Sequence, residues 1–159
     1  VRRVLFRSTF SDDPRDSADL VAIRKLAYPG LERLGAALLD DVCVPITAIA
    51  ELVTEVEKIA AHYELLIGIF GHAGDGNMHP TIVYQHNNPE SEERARAAFA
   101  EIIGRAQKLG GTASGEHGIG SIKRSSAELE YGPDVARIQR EIKSIFDPHG
   151  IMNPGKKLS

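Results

Sequence analysis

Apolar residues between positions 46 and 63 recur with the spacing of a helix. They are Ile46, Ile49, Leu52, Val53, Val56, Ile59, Ala60 and Tyr63. Side chains three and four residues apart share one face of a helix, so the pattern predicts an amphipathic helix with one buried stripe. A second helix is predicted from Pro89 to about Leu109. Asn88 is a suitable N-cap, Pro89 suits the first helical position, and Gly110 and Gly111 end the pattern.

Weaker helical patterns flank these two helices. A polar lead-in from Ser11 continues into a short helix that is expected to stop near Pro29 and Gly30. Two further helical segments are predicted at about 121–131 and 133–146. The second has apolar residues along one side: Val135, Ile138, Ile142 and Ile145.

Three short apolar runs predict strands. They cover 38–45, 64–72 and 77–85, and the second is rich in β-branched residues. Pro80 is expected to weaken the third strand, because proline cannot donate a hydrogen bond to a ladder. The order helix, strand, helix, strand, strand, helix favours an α+β sandwich, with helices packed on one face of a mostly antiparallel sheet.

Composition narrows the class of protein. The 159 residues are 42% hydrophobic and 26% charged, which suits one globular domain with a real core. A net charge of -3 disfavours a nucleic-acid binder, and no apolar run approaches a membrane span of about 20 residues. The lone Cys43 cannot form an internal disulfide and fits a reducing compartment, so we expect a cytoplasmic protein.

The first eight residues, VRRVLFRS, do not fit the rest of the chain. They lack an initiator methionine and the apolar stretch of a signal peptide. We interpret residues 1–8 as a spurious leader and residues 9–159 as the domain. The consequence is an expectation that the chain is a fragment and that an N-terminal partner domain is missing.

Two histidines bracket the glycine-rich stretch FGHAGDGNMHP, residues 70–80. Asp75-Gly76 is a favoured two-residue hairpin turn, which would place His72 directly opposite His79. Opposed residues have Cβ atoms about 4.5–5.5 Å apart on one face of a sheet. The pattern therefore predicts a chelating pair of imidazoles. The alternative is that both histidines only form hydrogen bonds in a tight loop.

A second glycine-rich stretch, GTASGEHGIG, adds a carboxylate and another imidazole. Glu116 is the candidate for a third metal ligand. Adjacent residues of an extended segment point to opposite sides, so His117 would then face away and be free to act as a base. Two neutral imidazoles and one carboxylate suit a divalent cation of the zinc, manganese or iron type.

Three motifs then carry a resemblance to a known family. FGHAGDGNMHP, GGTASGEHGIGSIK and FDPHGIMNPGK, in this order, resemble signatures of the C-terminal domain of FAD-linked oxidases. They are most similar to the group of glycolate oxidase flavoprotein subunits, D-lactate dehydrogenases and D-2-hydroxyglutarate dehydrogenases. RKLAYP and DDVCVP resemble further landmarks of the glycolate oxidase branch. The resemblance extends from about residue 24 to the end of the chain.

The resemblance implies a fold and a set of roles. The fold is a ferredoxin-like α+β cap that closes over the flavin of FAD, which is held mainly by a separate N-terminal domain. His72, His79 and Glu116 would hold a divalent metal of the zinc or manganese type. His117 would be the catalytic base, and Arg24 would bind the substrate carboxylate.

The resemblance also implies cofactor contacts and a reaction. Asn153, in NPGK, would lie near the flavin, whereas Asn77 could contact either the flavin or the backbone; with Glu116 they are the cofactor-binding candidates. Lys123 and Lys156 are expected at the surface or at cofactor phosphates. The implied reaction oxidises a small 2-hydroxy acid to a 2-oxo acid, with hydride transfer to the flavin. An iron–sulfur electron-acceptor subunit is a further expected partner, through which the protein could lie peripherally at the inner membrane.

Two alternatives stay open. One is a sister FAD-linked oxidase with a different substrate, such as a larger hydroxy acid or an ether-lipid precursor. The intact GHAGDGNMH and GEHG motifs favour the hydroxy acid branch over this one. The other is a stand-alone metal-binding or regulatory module that works without a flavin.

Overall fold

The computed structural model describes residues 11–157, so the expected spurious leader at 1–8 lies outside the described residues. The elements in chain order are α1 (Pro14–Glu32), β1 (Ala36–Leu39), β2 (Val42–Cys43), a 3-10 helix (Ile46–Ala48), α2 (Ile49–His62), β3 (Leu66–His72), β4 (Asn77–Tyr84), α3 (Pro89–Lys108) and α4 (Arg124–Phe146). Within this part of the chain, four α-helices and an antiparallel sheet of four strands confirm the predicted α+β class.

β4 is the central strand of the sheet. It pairs with β3 on one side, and on the other side with β1 through residues 81–84 and with β2 through residues 77–78. The weakening expected at Pro80 therefore does not move this strand to an edge. Pro80 lies in the gap between the β1 and β2 partners, where a missing N–H costs no ladder bond on that side.

The predicted strand at 38–45 is interrupted at Asp40 and Asp41. β1 ends at Leu39 and β2 begins at Val42. The buried side chain of Asp41 instead accepts hydrogen bonds from the loop that precedes α4. The backbone therefore leaves the ladder at the point where this carboxylate meets that loop.

The core lies between one face of the sheet and the helices α2 and α3. Both helices form where the apolar spacing predicts them, and the asparagine cap of α3 is present, with the Asn88 side chain accepting from the Ser91 N–H. The buried apolar cluster consists of Val42, Val44, Leu52, Val56, Ile59, Met78, Ile82, Ala95, Ala98, Phe99, Ile102, Ile103, Ala106 and Ala113. Burying one large apolar side chain stabilises the folded state by about 1.5–3 kcal/mol, so this cluster is the main source of stability.

α1 lies on the other face of the sheet. It begins at Pro14, where the N-cap Asp13 accepts the N–H groups of Arg15 and Asp16, and it continues past Pro29 to Glu32 instead of stopping there. Leu31 of α1 packs closely on Gly68 of β3, where an added Cβ atom would lie 2.6 Å from Cδ1 of Leu31.

Gly68 pairs with Thr81, whose neighbour Ile82 belongs to the core face, so this α1 contact is on the opposite face. The prediction of helices on one face thus holds for α2 and α3, and α1 is the exception.

α4 joins the two helical segments predicted near the C-terminus. They meet at Gly132, whose φ of 77° breaks the helical backbone. The apolar side predicted for the second segment is present but largely exposed to solvent. Ile142, Ile145 and Phe146 are 52%, 74% and 76% exposed.

Candidate metal and substrate site

The β3–β4 hairpin holds His72 and His79, but in a different register from the predicted one. His72 is opposite Asn77 and Phe70 is opposite His79, so the predicted pairing of His72 with His79 is wrong. Residues 73–76 form the turn. The N–H groups of Asp75 and Gly76 both donate to the His72 carbonyl, and the Asp75 carboxylate accepts the N–H of Asn77 at 2.9 Å.

The two imidazoles nevertheless lie together. His72 and His79 are diagonal neighbours on the same face of the hairpin, and their ring centroids are 5.2 Å apart with the planes at 90°. The longer turn therefore keeps both rings on one face, because a register shift of two residues leaves the pleat unchanged.

Glu116 approaches both imidazoles from the loop before α4. Its Oε1 atom is 3.8 Å from Nε2 of His72 and 3.3 Å from Nε2 of His79. One ligand atom from each of the three side chains lies within 4.8 Å of the others. Two residues of a hairpin and one distant carboxylate thus converge on a single point.

This donor set fits a divalent metal ion. Two imidazole nitrogens and one carboxylate oxygen are a common ligand set of catalytic zinc, which keeps one further position open. Burial, with a contribution from the nearby imidazole of His117, lowers the pKa of His79 and favours the neutral ring that a metal requires. The donor chemistry and the spacing therefore agree with the metal that the motifs imply.

His117 lies on the same side as Glu116, contrary to the alternation expected for an extended segment. Its ring stacks on His79, with centroids 5.0 Å apart and planes 25° apart. Nε2 of His117 is 3.7 Å from Glu116 Oε1, and Nδ1 is 3.4 Å from Asp40 Oδ1. The backbone is a turn here and not a strand, since three successive N–H groups converge on Asp41.

The motifs gave Asp40, Asp41 and Lys123 no role in this site, although DDVCVP and GGTASGEHGIGSIK contain them. Lys123 is fully buried, so the expectation that it lies at the surface or at a cofactor phosphate is wrong. Its ammonium group contacts the carboxylates of Asp40, at 2.7 Å, and of Asp41. The available signal was the polar pair in DDVCVP between apolar residues, which requires a buried cation or several N–H donors.

The carboxylate of Asp41 stays ionised although it is buried. Burial alone would raise the pKa of Asp41, but hydrogen bonds from the Glu116 N–H, Lys123 and the His117 N–H lower it well below the ordinary range. Asp40, Asp41 and His117 are also close enough together to share a cation. Lys123 already supplies that positive charge, which explains why these two carboxylates lie side by side in the core.

Asn77 lies beneath the loop that carries Glu116. Its side chain is buried, and its Oδ1 atom has no hydrogen-bond partner within residues 11–157. A Cβ atom at Gly115 would collide with the Asn77 amide, so only glycine allows the loop to approach this closely. In this structure Asn77 therefore contacts the loop backbone.

A cavity of about 510 Å³ adjoins these groups and reaches α1. It is lined by Arg24, Ala27, Tyr28, Leu39, Phe70, Gly71, His72, His79, Glu116 and His117. Arg24, the candidate for binding the substrate carboxylate, therefore shares a cavity with all three candidate metal ligands and with His117. The remaining lining residues come from α1, β1 and β3 and are mostly apolar.

Asn153 is not part of this cavity. It adopts a φ of 49° in the turn after α4 and lines a separate cavity of about 320 Å³ with Lys143, Phe146 and Lys156. Lys156 also lines a groove that reaches His117. The N–H of Lys157 donates to the Gly120 carbonyl at 2.7 Å, so the C-terminal turn is tied to the loop that carries the site.

No helix in the described part of the chain, residues 11–157, is both long and apolar enough to cross a membrane. The candidate site residues lie on α1, on the β3–β4 hairpin and on the loops before β2 and before α4.

Comparison of the sequence with known proteins identifies the family to which the chain belongs. The sequence matches the family described as FAD linked oxidases, C-terminal domain, over residues 2–157. It is 42% identical over 141 residues to the glycolate oxidase subunit GlcD of Bacillus subtilis (strain 168), covering 88% of this chain and 30% of that protein.

Two dehydrogenases are similar to it as well. The identity is 35% to the mitochondrial D-lactate dehydrogenase [cytochrome] of Arabidopsis thaliana, over 94% of this chain and 27% of that protein. It is 39% to the D-lactate dehydrogenase of Archaeoglobus fulgidus, over 89% of this chain and 31% of that protein. The chain thus spans about 30% of the length of these relatives.

Proposed function

The chain belongs to the family of C-terminal domains of FAD-linked oxidases, and on that premise we propose that it is the substrate-side domain of an FAD-dependent 2-hydroxy acid dehydrogenase of the glycolate or D-lactate type. The observation that carries this proposal is the single cavity that contains Arg24, His72, His79, Glu116 and His117. It combines a carboxylate-binding cation, a set of metal ligands and a base.

The division of labour follows from the side chains. Arg24 binds the substrate carboxylate with its planar guanidinium group, which matches two carboxylate oxygens. His72, His79 and Glu116 would hold the divalent cation, of the zinc or manganese type. When bound, the cation would lower the pKa of the substrate hydroxyl, and the flavin would supply the hydride acceptor.

His117 accepts the hydroxyl proton at Nε2. A proton on Nδ1 would face the Asp40 carboxylate 3.4 Å away, which leaves Nε2 as the free basic atom on the Glu116 side. A positioned histidine base is typically worth about 10²–10⁴-fold in rate. Because His117 stacks on His79, the base lies next to the place where the hydroxyl is held.

Two surface features support the proposal that the chain packs against a domain that binds FAD. The apolar side of α4 is exposed at Ile142, Ile145 and Phe146, a pattern unlike the surface of a self-sufficient domain. Lys143 of the cavity near Asn153 is paired with Asp147, but Lys156 and Lys157 supply positive charge that suits cofactor phosphates. We propose that these surfaces face the FAD-binding domain. Asn77 is a weaker flavin contact, because its buried amide packs under Gly115.

An iron–sulfur subunit is the electron acceptor that we propose for an enzyme of the glycolate oxidase type. Any association with the inner membrane would then be peripheral and would occur through that partner. Residues 9–159 would correspond to the C-terminal domain alone, with FAD held mainly by the N-terminal domain.

The experiment is an anaerobic reduction of the flavin. The polypeptide that carries this chain together with an FAD-binding domain is mixed with glycolate, D-lactate and L-lactate, and the flavin absorbance is followed. We expect glycolate or D-lactate to bleach the flavin. A protein that holds FAD, but whose flavin no 2-hydroxy acid reduces, would contradict the proposal and favour a sister oxidase. A chain that binds metal but assembles with no flavin domain would favour the stand-alone module.

A further inference from the structure

A single buried carboxylate accepts hydrogen bonds from three consecutive N–H groups of the site loop, the segment 109–123 between α3 and α4. The Oδ2 atom of Asp41 accepts from Gly115 at 2.8 Å, from Glu116 at 2.5 Å and from His117 at 3.0 Å. Its Oδ1 atom accepts from the hydroxyl of Ser114 at 3.3 Å. The backbone that carries a candidate ligand and the candidate base is therefore fixed by one side chain from the strand region.

Lys123 holds that carboxylate in place. Both side chains are fully buried, and the Lys123 ammonium group contacts the Asp41 carboxylate and also the Asp41 carbonyl, at 2.7 Å. The Phe99 ring lies beneath the ammonium group, with its centroid 5.9 Å away. A buried charge without its partner is strongly unfavourable, so the pair persists as a unit.

The pair connects two parts of the fold that position different ligands. Asp41 lies in the break between the strands β1 and β2, and Lys123 immediately precedes α4. His72 and His79 are placed by the β3–β4 ladder, whereas Glu116 and His117 lie on the loop between α3 and α4. The hydrogen bonds of Asp41 therefore fix the position of the site loop relative to the sheet.

We propose that Asp41, held by Lys123, is the positioning residue that sets Glu116 and His117 against the two hairpin imidazoles. This inference rests on the proposed function for its metal. The role belongs to a carboxylate because it can accept from several N–H donors and one ammonium group together. An asparagine of the same shape would turn an NH₂ group toward those donors.

The experiment separates positioning from stability. The variants are Asp41→Asn, Lys123→Met and the double variant, in the full chain purified without a histidine tag. The control is Leu52→Ala, which removes a buried side chain of α2 that is neither a candidate ligand nor a partner of Asp41. Zn²⁺ affinity is measured against a competing chelator, thermal unfolding is recorded, and amide hydrogen exchange is followed at 115–117.

We expect Asp41→Asn to weaken Zn²⁺ binding by about 10–100-fold, the usual effect of losing a partner that orients metal ligands. The amides of Gly115, Glu116 and His117 should exchange faster in that variant. The double variant should recover part of the melting temperature that Lys123→Met loses, because Asp40 is then the only one of the two carboxylates left without the ammonium group. It should not recover Zn²⁺ affinity. Leu52→Ala should lower the melting temperature and leave Zn²⁺ affinity unchanged.

The inference is overturned if folded Asp41→Asn, or the folded double variant, binds Zn²⁺ like the wild type with the three amides still protected. It is also overturned if Zn²⁺ affinity falls in Leu52→Ala as much as in Asp41→Asn. If the wild-type chain binds no Zn²⁺, the proposed metal site fails, and amide exchange decides the positioning role alone. Faster exchange in Asp41→Asn than in Leu52→Ala supports it, and equal exchange refutes it.

Discussion

The imidazole of His117 stacks on that of His79, with ring centroids 5.0 Å apart and planes inclined by 25°. One ring belongs to the loop before α4 and the other to the hairpin strand β4. This contact places the candidate base directly beside a candidate metal ligand. The proposed proton transfer depends on it, because a base must be within hydrogen-bond reach of the hydroxyl that the metal would hold.

His117→Ala tests the base. In the FAD-containing enzyme, we expect kcat to fall by about 10²-fold or more, because a positioned histidine base contributes about that factor. Zinc content should not change, since His72, His79 and Glu116 remain. The control is His149→Ala, which alters an exposed histidine in the turn after α4. Turnover close to that of the control would remove His117 as the base.

Arg24→Met tests the carboxylate contact. We expect KM for the hydroxy acid to rise by about 10–100-fold, the loss associated with a hydrogen-bonded ion pair of about 1.5–3 kcal/mol. Arg15→Met, on the exposed first turn of α1, is the matched control. Steady-state kinetics measure both, and an Arg24→Met enzyme with an unchanged KM would exclude this role.

Gly115→Ala tests the close approach of the site loop to the hairpin. The added Cβ would collide with the buried Asn77 amide, so we expect a loss of about 1–3 kcal/mol in unfolding free energy, together with weaker zinc binding. Gly74→Ala is the matched control, since a Cβ there meets no atom within 4 Å. Denaturant unfolding of both variants gives the comparison. Equal stabilities would mean that the loop can move away without cost.

Glu130→Gln tests a carboxylate that ties α4 to the strand-like end of the site loop. Glu130 accepts from the Thr112 hydroxyl at 2.6 Å, the Ala113 N–H at 2.8 Å and the Gln107 amide at 3.1 Å. Burial opposes its ionisation, but these hydrogen bonds outweigh burial and lower the pKa of Glu130. Because the pKa of Glu130 is lower in the folded chain than its ordinary value of 4.5, the ionised carboxylate stabilises the fold at pH values above 4.5. This stabilisation is lost as the pH falls through the pKa of Glu130 in the folded chain.

Glu130→Gln should therefore reduce the unfolding free energy by about 0.5–1 kcal/mol at pH 7, because water screens this exposed carboxylate. The difference from the wild type should shrink steadily below pH 4.5. The exposed Glu93→Gln is the control. Urea unfolding from pH 7 to pH 3 measures both, and a difference that grows on acidification would contradict the assignment.

Local patterns predicted the elements well. The spacing of apolar residues predicted α2 and α3, and the β-branched run predicted β3. The hairpin register could not be read from Asp75-Gly76 alone. The Asp75 side chain and backbone close a longer turn through Asn77 and the His72 carbonyl, and this competes with the tight turn that the dipeptide favours.

The site was predictable as a set of residues but not as a geometry. The motifs named His72, His79, Glu116 and His117, and the structure brings all four together. They did not predict that Glu116 and His117 lie on the same side. That arrangement depends on Asp41 and Lys123, which are 82 positions apart and carry no local pattern that links them.

The most direct test of the account is the zinc content of the chain. The chain is purified without a histidine tag, loaded with Zn²⁺ and desalted, and its zinc content is measured by elemental mass spectrometry. Two double variants are treated in the same way: His72→Ala/His79→Ala, and His62→Ala/His149→Ala as a control at exposed histidines. We predict about one zinc ion per chain in the wild type and the control, and almost none in His72→Ala/His79→Ala. Equal, near-zero zinc in all three proteins would contradict the claim that these side chains share a cation.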